Sequence, residues 1–117
     1  MRILLENYQS YDYITGRNKG KDYRKKLNLD SLEDDFPIIC VDVPKDTIGI
    51  NISFMLGLFG KSIRKYGRTK FLEKYKFNYP NSQVEKLVEI DLEKAIKEAL
   101  DKRNARNILG LLFKDSK

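Results

Sequence analysis

Ser53 and Asn51 are the residues whose types and position most directly suggest chemistry in this sequence of 117 residues. Both stand where a helix is predicted to begin. A hydroxyl group there lies beside backbone N–H groups and the positive end of the helix dipole, which favour an added phosphate, so Ser53 is a candidate phosphorylation site. The alternative is that Ser53 is only an N-cap. Asn51 serves as the cap equally well, which would leave Ser53 on the first turn.

A second candidate pair is Arg17 and Gly20, at the start of a predicted helix over residues 19–27. Backbone N–H groups at a helix start hold phosphates or carboxylates, and glycine permits their close approach. The alternative is a turn glycine beside a solvated arginine. Asp42, at the end of a predicted strand over residues 36–43, is expected either to serve a ligand site at the carboxyl edge of the sheet or to cap a turn.

Candidates for catalysis are scarce, because the sequence has no histidine and a single cysteine, Cys40. This composition excludes disulfide frameworks, zinc sites built from histidine and cysteine, and nucleophiles that rely on a histidine base. Cys40 lies in an apolar segment and is expected to be a small core residue. No second group completes a catalytic pair with Asp42. We therefore expect a protein that is not an enzyme and that needs neither a metal nor a cofactor.

The formal net charge of +6 is concentrated in two basic segments, residues 17–26 and 61–76, while residues 30–35 are acidic. Basic segments attract nucleic acids or acidic proteins, but a solvated, lysine-rich helix face has the same composition. The charge alone does not decide between these readings. The basic surface is predicted to include Arg24, Lys61, Arg64, Lys65 and Arg68.

The N-terminal half of the chain must supply the elements that position these residues. An apolar opening over residues 2–8 and an alternating segment over residues 11–15 predict a hairpin. Residues 19–27 predict a short amphipathic helix, and the acidic residues 30–35 predict a loop. Residues 36–43 form the most continuous apolar run, which is typical of a central strand covered by helices on both faces.

In the C-terminal half, apolar residues at steps of three and four predict a helix over residues 53–66, with Gly67 as its C-terminal stop. Aromatic and polar residues alternate within residues 71–79, which predicts a strand with an aromatic core face and a lysine-bearing wet face. A Ser-x-x-Glu capping box opens a long helix over residues 82–103. The apolar tail, residues 104–117, is expected to dock on the domain or on a second subunit, which would give a homodimer.

This order of elements predicts one α/β domain over residues 1–103, with a mixed sheet of about four strands and three packed helices. No segment approaches the roughly 20 apolar residues that span a bilayer, and no targeting segment is recognisable. We therefore expect a cytoplasmic protein without a membrane partner.

Three segments carry a resemblance to a known family. Residues 16–20 (Gly-Arg-Asn-Lys-Gly), followed by residues 23–27, resemble the Ser-Arg-x-x-Gly segment that opens the first helix of STAS-like domains of unknown function. Residues 38–43 (Ile-Ile-Cys-Val-Asp-Val) resemble the central strand of that family, and residues 50–54 (Ile-Asn-Ile-Ser-Phe) resemble the start of its next helix. The resemblance covers residues 2–103.

The sequence also departs from the family pattern. Gly16 replaces the usual serine, Val43 replaces the usual phenylalanine, and the Asp-Ser pair of the related anti-sigma-factor antagonists is missing. In those antagonists, phosphorylation of a serine after the central strand by a histidine-kinase-like ATPase controls the choice of partner.

The resemblance therefore implies a regulatory, protein-binding domain whose partner is an ATPase or another regulatory protein. Its recognition edge would combine Arg17, Asn51 and Ser53 with the helix over residues 54–66, and Ser53 would be the switch. The competing hypothesis is an inhibitory protein of a phage or mobile element that binds nucleic acid, or an RNA–protein defence complex, through the basic surface.

Overall fold

The computed structural model describes residues 1–5, 13–47 and 49–114, and the side chains of residues 1–5, 16–47 and 49–101. Strands and helices succeed one another along the chain. In chain order they are β1 (Arg2–Leu4), α1 (Tyr13–Leu27), α2 (Leu29–Asp35), β2 (Ile39–Asp42), α3 (Ile52–Lys74), β3 (Tyr75–Asn78) and α4 (Ser82–Lys114).

The sheet is parallel throughout, in the order β1, β2, β3. Val41 in the central strand lies beside Ile3 on one side and Phe77 on the other. Parallel neighbours need a crossover connection, and helices supply it between each successive pair of strands. The predicted α/β class and the central position of β2 are confirmed.

One face of the sheet belongs to the core, and the other is open within the described residues. Ile3, Ile39, Val41 and Tyr75 are buried, whereas Leu4 on the opposite face is 57% exposed. This alternation follows from the strand period of two residues. The prediction that the central strand is covered on both faces is therefore wrong. The sheet has one buried face and one exposed face.

Helix α3 is the centre of the core and packs against both α1 and α4. Its residues 54–60 are all buried. The ring of Phe59 packs edge to face against Phe71, Tyr75 and Phe77, with centroid distances of 5.6, 5.2 and 5.7 Å. This is an arrangement that aromatic rings prefer, and it joins α3 to β3.

Gly20 and Gly57 lie where the backbones of α1 and α3 are in close contact. A Cβ atom on Gly57 would overlap the carbonyl oxygen of Arg17 and lie 2.9 Å from the backbone nitrogen of Lys21. A Cβ atom on Gly20 would overlap the carbonyl oxygen of Phe54. Glycine within a helix costs about 1 kcal/mol relative to alanine, and the contact between α1 and α3 is the physical reason for Gly57.

Gly67 marks a kink inside α3. Its φ of 79° lies in the left-handed region that glycine adopts without steric cost. Gly67 is non-helical, so the helical run that begins at Ile52 is interrupted where the stop is predicted, and a second helical stretch follows to Lys74. The predicted strand over residues 71–79 consequently begins only at Tyr75, and its alternation is confirmed by buried Tyr75 and exposed Lys76.

Two predictions in the N-terminal half are wrong. Tyr13, Ile14 and Thr15 belong to α1 rather than to the second strand of a hairpin, while Tyr11 and Asp12 of that strand lie outside the described residues. The acidic residues 30–35 form most of α2 rather than a loop. The described residues contain three parallel strands, so the predicted four-stranded mixed sheet is not confirmed.

Helix α4 begins as predicted, but its cap differs. The Asn81 side chain, rather than Ser82, accepts a hydrogen bond from the backbone N–H of Val84 at 2.9 Å. The backbone remains helical through Lys114, so the predicted boundary at residue 103 is not a helix end. The tail side chains lie outside the described residues, and their docking stays a prediction. No described helix combines the length and apolar character that a membrane span requires.

Candidate functional site

Asn51 is the N-cap of α3, and Ser53 lies on the first turn. The Asn51 Oδ1 atom accepts hydrogen bonds from the backbone N–H of Phe54 at 3.0 Å and from the Ser53 hydroxyl at 2.5 Å. Ser53 is only 4% exposed, and a Cβ atom on Gly16 would overlap its hydroxyl oxygen. Ser53 also lines an open cavity of about 340 Å³ with Asn51, Ile52 and Glu98. A phosphoryl group on Ser53 would therefore have to turn away from Gly16 and towards this cavity.

Arg17 and Gly20 do not stand at a helix start, because α1 begins at Tyr13. A Cβ atom on Gly20 would also lie 2.8 Å from the backbone nitrogen of Leu58. The space beside Gly20 is therefore filled by the backbone of α3. The helix start that the phosphate interpretation assumes is therefore wrong, and Gly20 serves helix packing instead. A role of Arg17 in contacting a partner stays a prediction.

Arg24 is not a surface residue, because only 8% of it is exposed. Its Nη1 atom donates to the carbonyl oxygen of Leu58 at 2.8 Å and to the Ser62 hydroxyl at 2.9 Å. Its Nη2 atom lies 2.9 Å from Asp30 Oδ1 and 3.6 Å from Glu33 Oε1. The arginine thus joins α1 to both α2 and α3, and the prediction that it lies on the basic surface is wrong.

Glu33 is the buried carboxylate of this network, with 5% exposure. The hydroxyl groups of Ser62 and Tyr75 both donate to its Oε2 atom, the latter at 2.5 Å. Burial, reinforced by the hydrogen bond to Glu33, raises the pKa of Tyr75 far above its usual value. Buried polar groups are tolerated when their hydrogen bonds are satisfied, and this network holds Arg24 in a fixed position.

Arg24 also lines a cleft of about 450 Å³ between α1 and α3. Lys21, Arg24 and Lys25 lie at helical spacing on α1, and Lys61 and Arg64 face them from α3. Asp30 is the only carboxylate among the residues that line the cleft. Five cations line the cleft, and Asp30 together with Glu33 behind Arg24 offsets two of their charges. The remaining positive charge attracts anions and steers their approach.

Lys65 and Arg68 lie outside the cleft lining. The guanidinium group of Arg68 pairs with the Glu93 carboxylate on α4, which raises the pKa of Arg68. Lys65 places its Nζ atom 5.2 Å from the centroid of the Tyr66 ring. The structure therefore brings Arg24, Lys61 and Arg64 into one cleft and separates the other two predicted surface cations from it.

Lys21, Lys25 and Asp30 are cleft residues that the sequence did not single out. The only local signal is the spacing of Lys21, Arg24 and Lys25, which places them on one helix face. Asp42, the other candidate, lies on the open face of the sheet. It accepts a hydrogen bond from Asn78 at 3.1 Å and pairs with Arg2 at 3.3 Å, so it connects the three strands.

Among the described residues, no group of three or more histidine, cysteine, aspartate and glutamate side chains is placed to hold a metal ion. Comparison of the chain with protein-family models, with curated proteins and with solved structures finds no match. The case for function therefore depends on the cleft itself.

Proposed function

We propose that this protein is a regulatory binding domain that docks an acidic surface of another protein in the cleft between α1 and α3. The observation that carries the proposal is that cations from both basic segments of the sequence line one cavity. Complementary charge of this kind sets the specificity and the association rate of protein partners.

The side chains in the cleft are suited to recognition rather than to bond making. They supply cations, one amide and one carboxylate that is already held in ion pairs with Arg24 and Lys61. General acid–base or nucleophilic catalysis would need a base within hydrogen-bonding reach of the group it activates. The proposed role is therefore non-enzymatic.

The sequence resemblance to STAS-like domains supports a regulatory role, with an ATPase or another regulatory protein as the partner. The proposed recognition surface, the cleft between α1 and α3, differs from the edge that this resemblance implies. Residues 54–60 of α3 are buried, so the exposed cations of this helix that a partner contacts begin at Lys61. A switch at Ser53 stays a prediction.

Nucleic acid is the second candidate ligand, and the charge of the cleft favours it as well. Two contacts within the chain weigh against it. Arg68 and Lys74, in the more basic segment, contact Glu93 and the carbonyl oxygen of Phe36 respectively. Tyr75 is 1% exposed, so this aromatic residue of the basic segment packs in the core instead of presenting a ring for base stacking.

The test is site-specific photocrosslinking in cells that produce the full-length protein. A photoreactive phenylalanine analogue replaces Lys25 in the cleft or, as the control, Lys97 on the exposed side of α4. We expect a protease-sensitive adduct at position 25 and none at position 97. The captured protein is then identified and purified, and its binding is measured against the variant Arg64→Glu at increasing salt.

Loss of binding in the Arg64→Glu variant and in high salt would support the proposal. A nuclease-sensitive adduct at position 25 would instead assign the cleft to nucleic acid. A captured protein that binds the Arg64→Glu variant as well as the unmodified protein would show that the cleft is not its interface.

A further inference from the structure

Asp30 bridges the two helices that form the cleft. Its Oδ1 atom lies 2.9 Å from Arg24 Nη2 on α1, and its Oδ2 atom lies 3.1 Å from Lys61 Nζ on α3. The side chains of Asp30 and Lys61 are 61% and 63% exposed, whereas that of Arg24 is 9% exposed. One carboxylate at the cleft therefore contacts a buried guanidinium group and an exposed ammonium group.

Arg24, the buried cation of this carboxylate site, is held in place by other contacts. Arg24 is fixed by the Leu58 carbonyl oxygen and the Ser62 hydroxyl, so its position does not depend on Asp30. Its Nε atom is buried and has no hydrogen-bond partner among the described residues. A guanidinium group that is already in place binds an incoming carboxylate with little further loss of conformational freedom.

The cleft has more positive charge than Asp30 neutralises. Lys21 and Lys25 are exposed beside the pair, and Arg64 lines the same cavity. Hydrogen bonds from Arg24 and then from Lys61 lower the pKa of the Asp30 carboxyl group, in keeping with an environment that stabilises anions. The cavity of about 450 Å³ has room for more than one acidic side chain.

We infer that the cleft recognises the carboxylate groups of an acidic peptide segment, and that Asp30 is an internal competitor that occupies the contacts with Arg24 and Lys61 until the segment displaces it. This inference rests on the proposed function. A carboxylate is the group that the structure places between the two cations, which favours an acidic peptide over a phosphate backbone as the ligand.

The test compares two variants that make the same change of charge on the same helix. Asp30→Asn removes the competitor. Asp35→Asn removes an exposed carboxylate of α2 that does not line the cleft. The probes are a fluorescein-labelled peptide of alternating glutamate and serine residues, its glutamine analogue and a labelled single-stranded RNA. Binding to each protein is followed by fluorescence anisotropy at about 0.15 M ionic strength, where the Debye length is about 8 Å.

We expect Asp30→Asn to bind the glutamate peptide up to about fivefold more tightly than the unmodified protein, because the Asp30 carboxylate no longer competes for Arg24 and Lys61. Asp35→Asn should change the affinity by less than about twofold, since its charge lies outside the cleft. The glutamine analogue should bind to none of the three proteins. Lys61→Gln should weaken binding of the glutamate peptide in both the unmodified and the Asp30→Asn background.

Equal affinities of Asp30→Asn and Asp35→Asn for the peptide would overturn the inference, and so would absence of peptide binding in every protein. Tighter binding of RNA, but not of the peptide, by Asp30→Asn would overturn it in favour of nucleic acid. The proposed function is judged separately by the crosslinking experiment. If the binding of a protein partner depends on Arg64 but not on Asp30, the proposed function stands and the competitor role of Asp30 is rejected.

Discussion

The hydroxyl group of Tyr75 donates a hydrogen bond of 2.5 Å to the carboxylate of Glu33, across 42 residues of sequence. This contact fastens α2 to β3. The carboxylate also receives the Ser62 hydroxyl and lies 3.6 Å from the guanidinium group of Arg24. Because a buried polar network specifies a structure only when its members are paired, the position of the acidic helix and the position of the cleft arginine depend on each other.

Replacement of Arg24 by methionine is expected to lower the free energy of unfolding by about 3–5 kcal/mol, because it leaves the buried Glu33 carboxylate without its cation. Chemical unfolding measures the loss. Lys26→Met is the matched control on the same helix, and this exposed position should change stability by less than about 0.5 kcal/mol. The double variant Arg24→Met/Glu33→Leu should recover part of the loss, whereas additive losses would contradict the coupling.

Tyr75→Phe removes a donor to Glu33 and is expected to lower the free energy of unfolding by about 1–2 kcal/mol. The pKa of Tyr75 is raised in the folded protein, first by burial and then by Glu33. The unfolded chain therefore releases this proton near pH 10 while the folded protein keeps it, so stability should fall as the pH rises above about 10. Urea unfolding over this pH range should show a shallower fall for Tyr75→Phe, and parallel curves would contradict the assignment.

Gly57→Ala is expected to destabilise the protein by about 2–3 kcal/mol, because the added Cβ atom meets the backbone of α1 at Arg17. Gly60→Ala is the matched control within the same helix. Its Cβ atom would meet only the flexible end of Arg64, 3.0 Å away, so its higher helix propensity should raise the free energy of unfolding by up to about 1 kcal/mol. Thermal unfolding that ranks the two variants in the reverse order would contradict the close contact of α1 and α3.

Some elements could be predicted from the local sequence pattern, because that pattern indicates which of their residues are buried. The helical spacing along α3 and the alternation from Tyr75 to Phe77 each report burial directly, so these predictions are confirmed. The apolar run of β2 correctly predicts the central strand, but not that one of its faces is open. Helix α2 was missed because its acidic residues resemble a solvated loop. Its buried residue Glu33 is held by Ser62 and Tyr75, 29 and 42 residues away, and no local window contains those partners.

Only part of the cleft could be predicted, because the residues that line it come from segments far apart in the sequence. The sequence locates both basic segments, but nothing local says that Lys25 and Lys61 line the same cavity. That depends on the approach of α1 to α3, which the glycine pair Gly20 and Gly57 permits. Arginine is usually a surface residue. The burial of Arg24 depends on hydrogen-bond acceptors that other elements supply.

Asn51→Ala is expected to lower the free energy of unfolding by about 1 kcal/mol, because Asn51 caps α3 and also accepts the Ser53 hydroxyl. Asn51→Asp keeps an acceptor at the same place and should retain most of the stability. Ser53→Ala should have a smaller effect in the Asn51→Ala background than in the unmodified protein, because the two residues share one oxygen atom. Chemical unfolding of all four variants tests this, and strictly additive effects would count against the shared cap.

The titration of Asp30 provides a direct measurement of the potential in the cleft. Its pKa is lowered from 3.8, mainly by the hydrogen bond from Arg24 and next by that from Lys61. The stabilising contribution of this carboxylate is therefore present above about pH 4 and is lost as the pH falls through the lower, folded-state pKa. Because Asp30 is exposed, the contribution should stay below about 1 kcal/mol, so carbon NMR of the side chain is the better measurement. Lys61→Gln should move the titration midpoint upward but leave it below 3.8, since Arg24 remains, and an unchanged midpoint would mean that Lys61 does not act on this carboxylate.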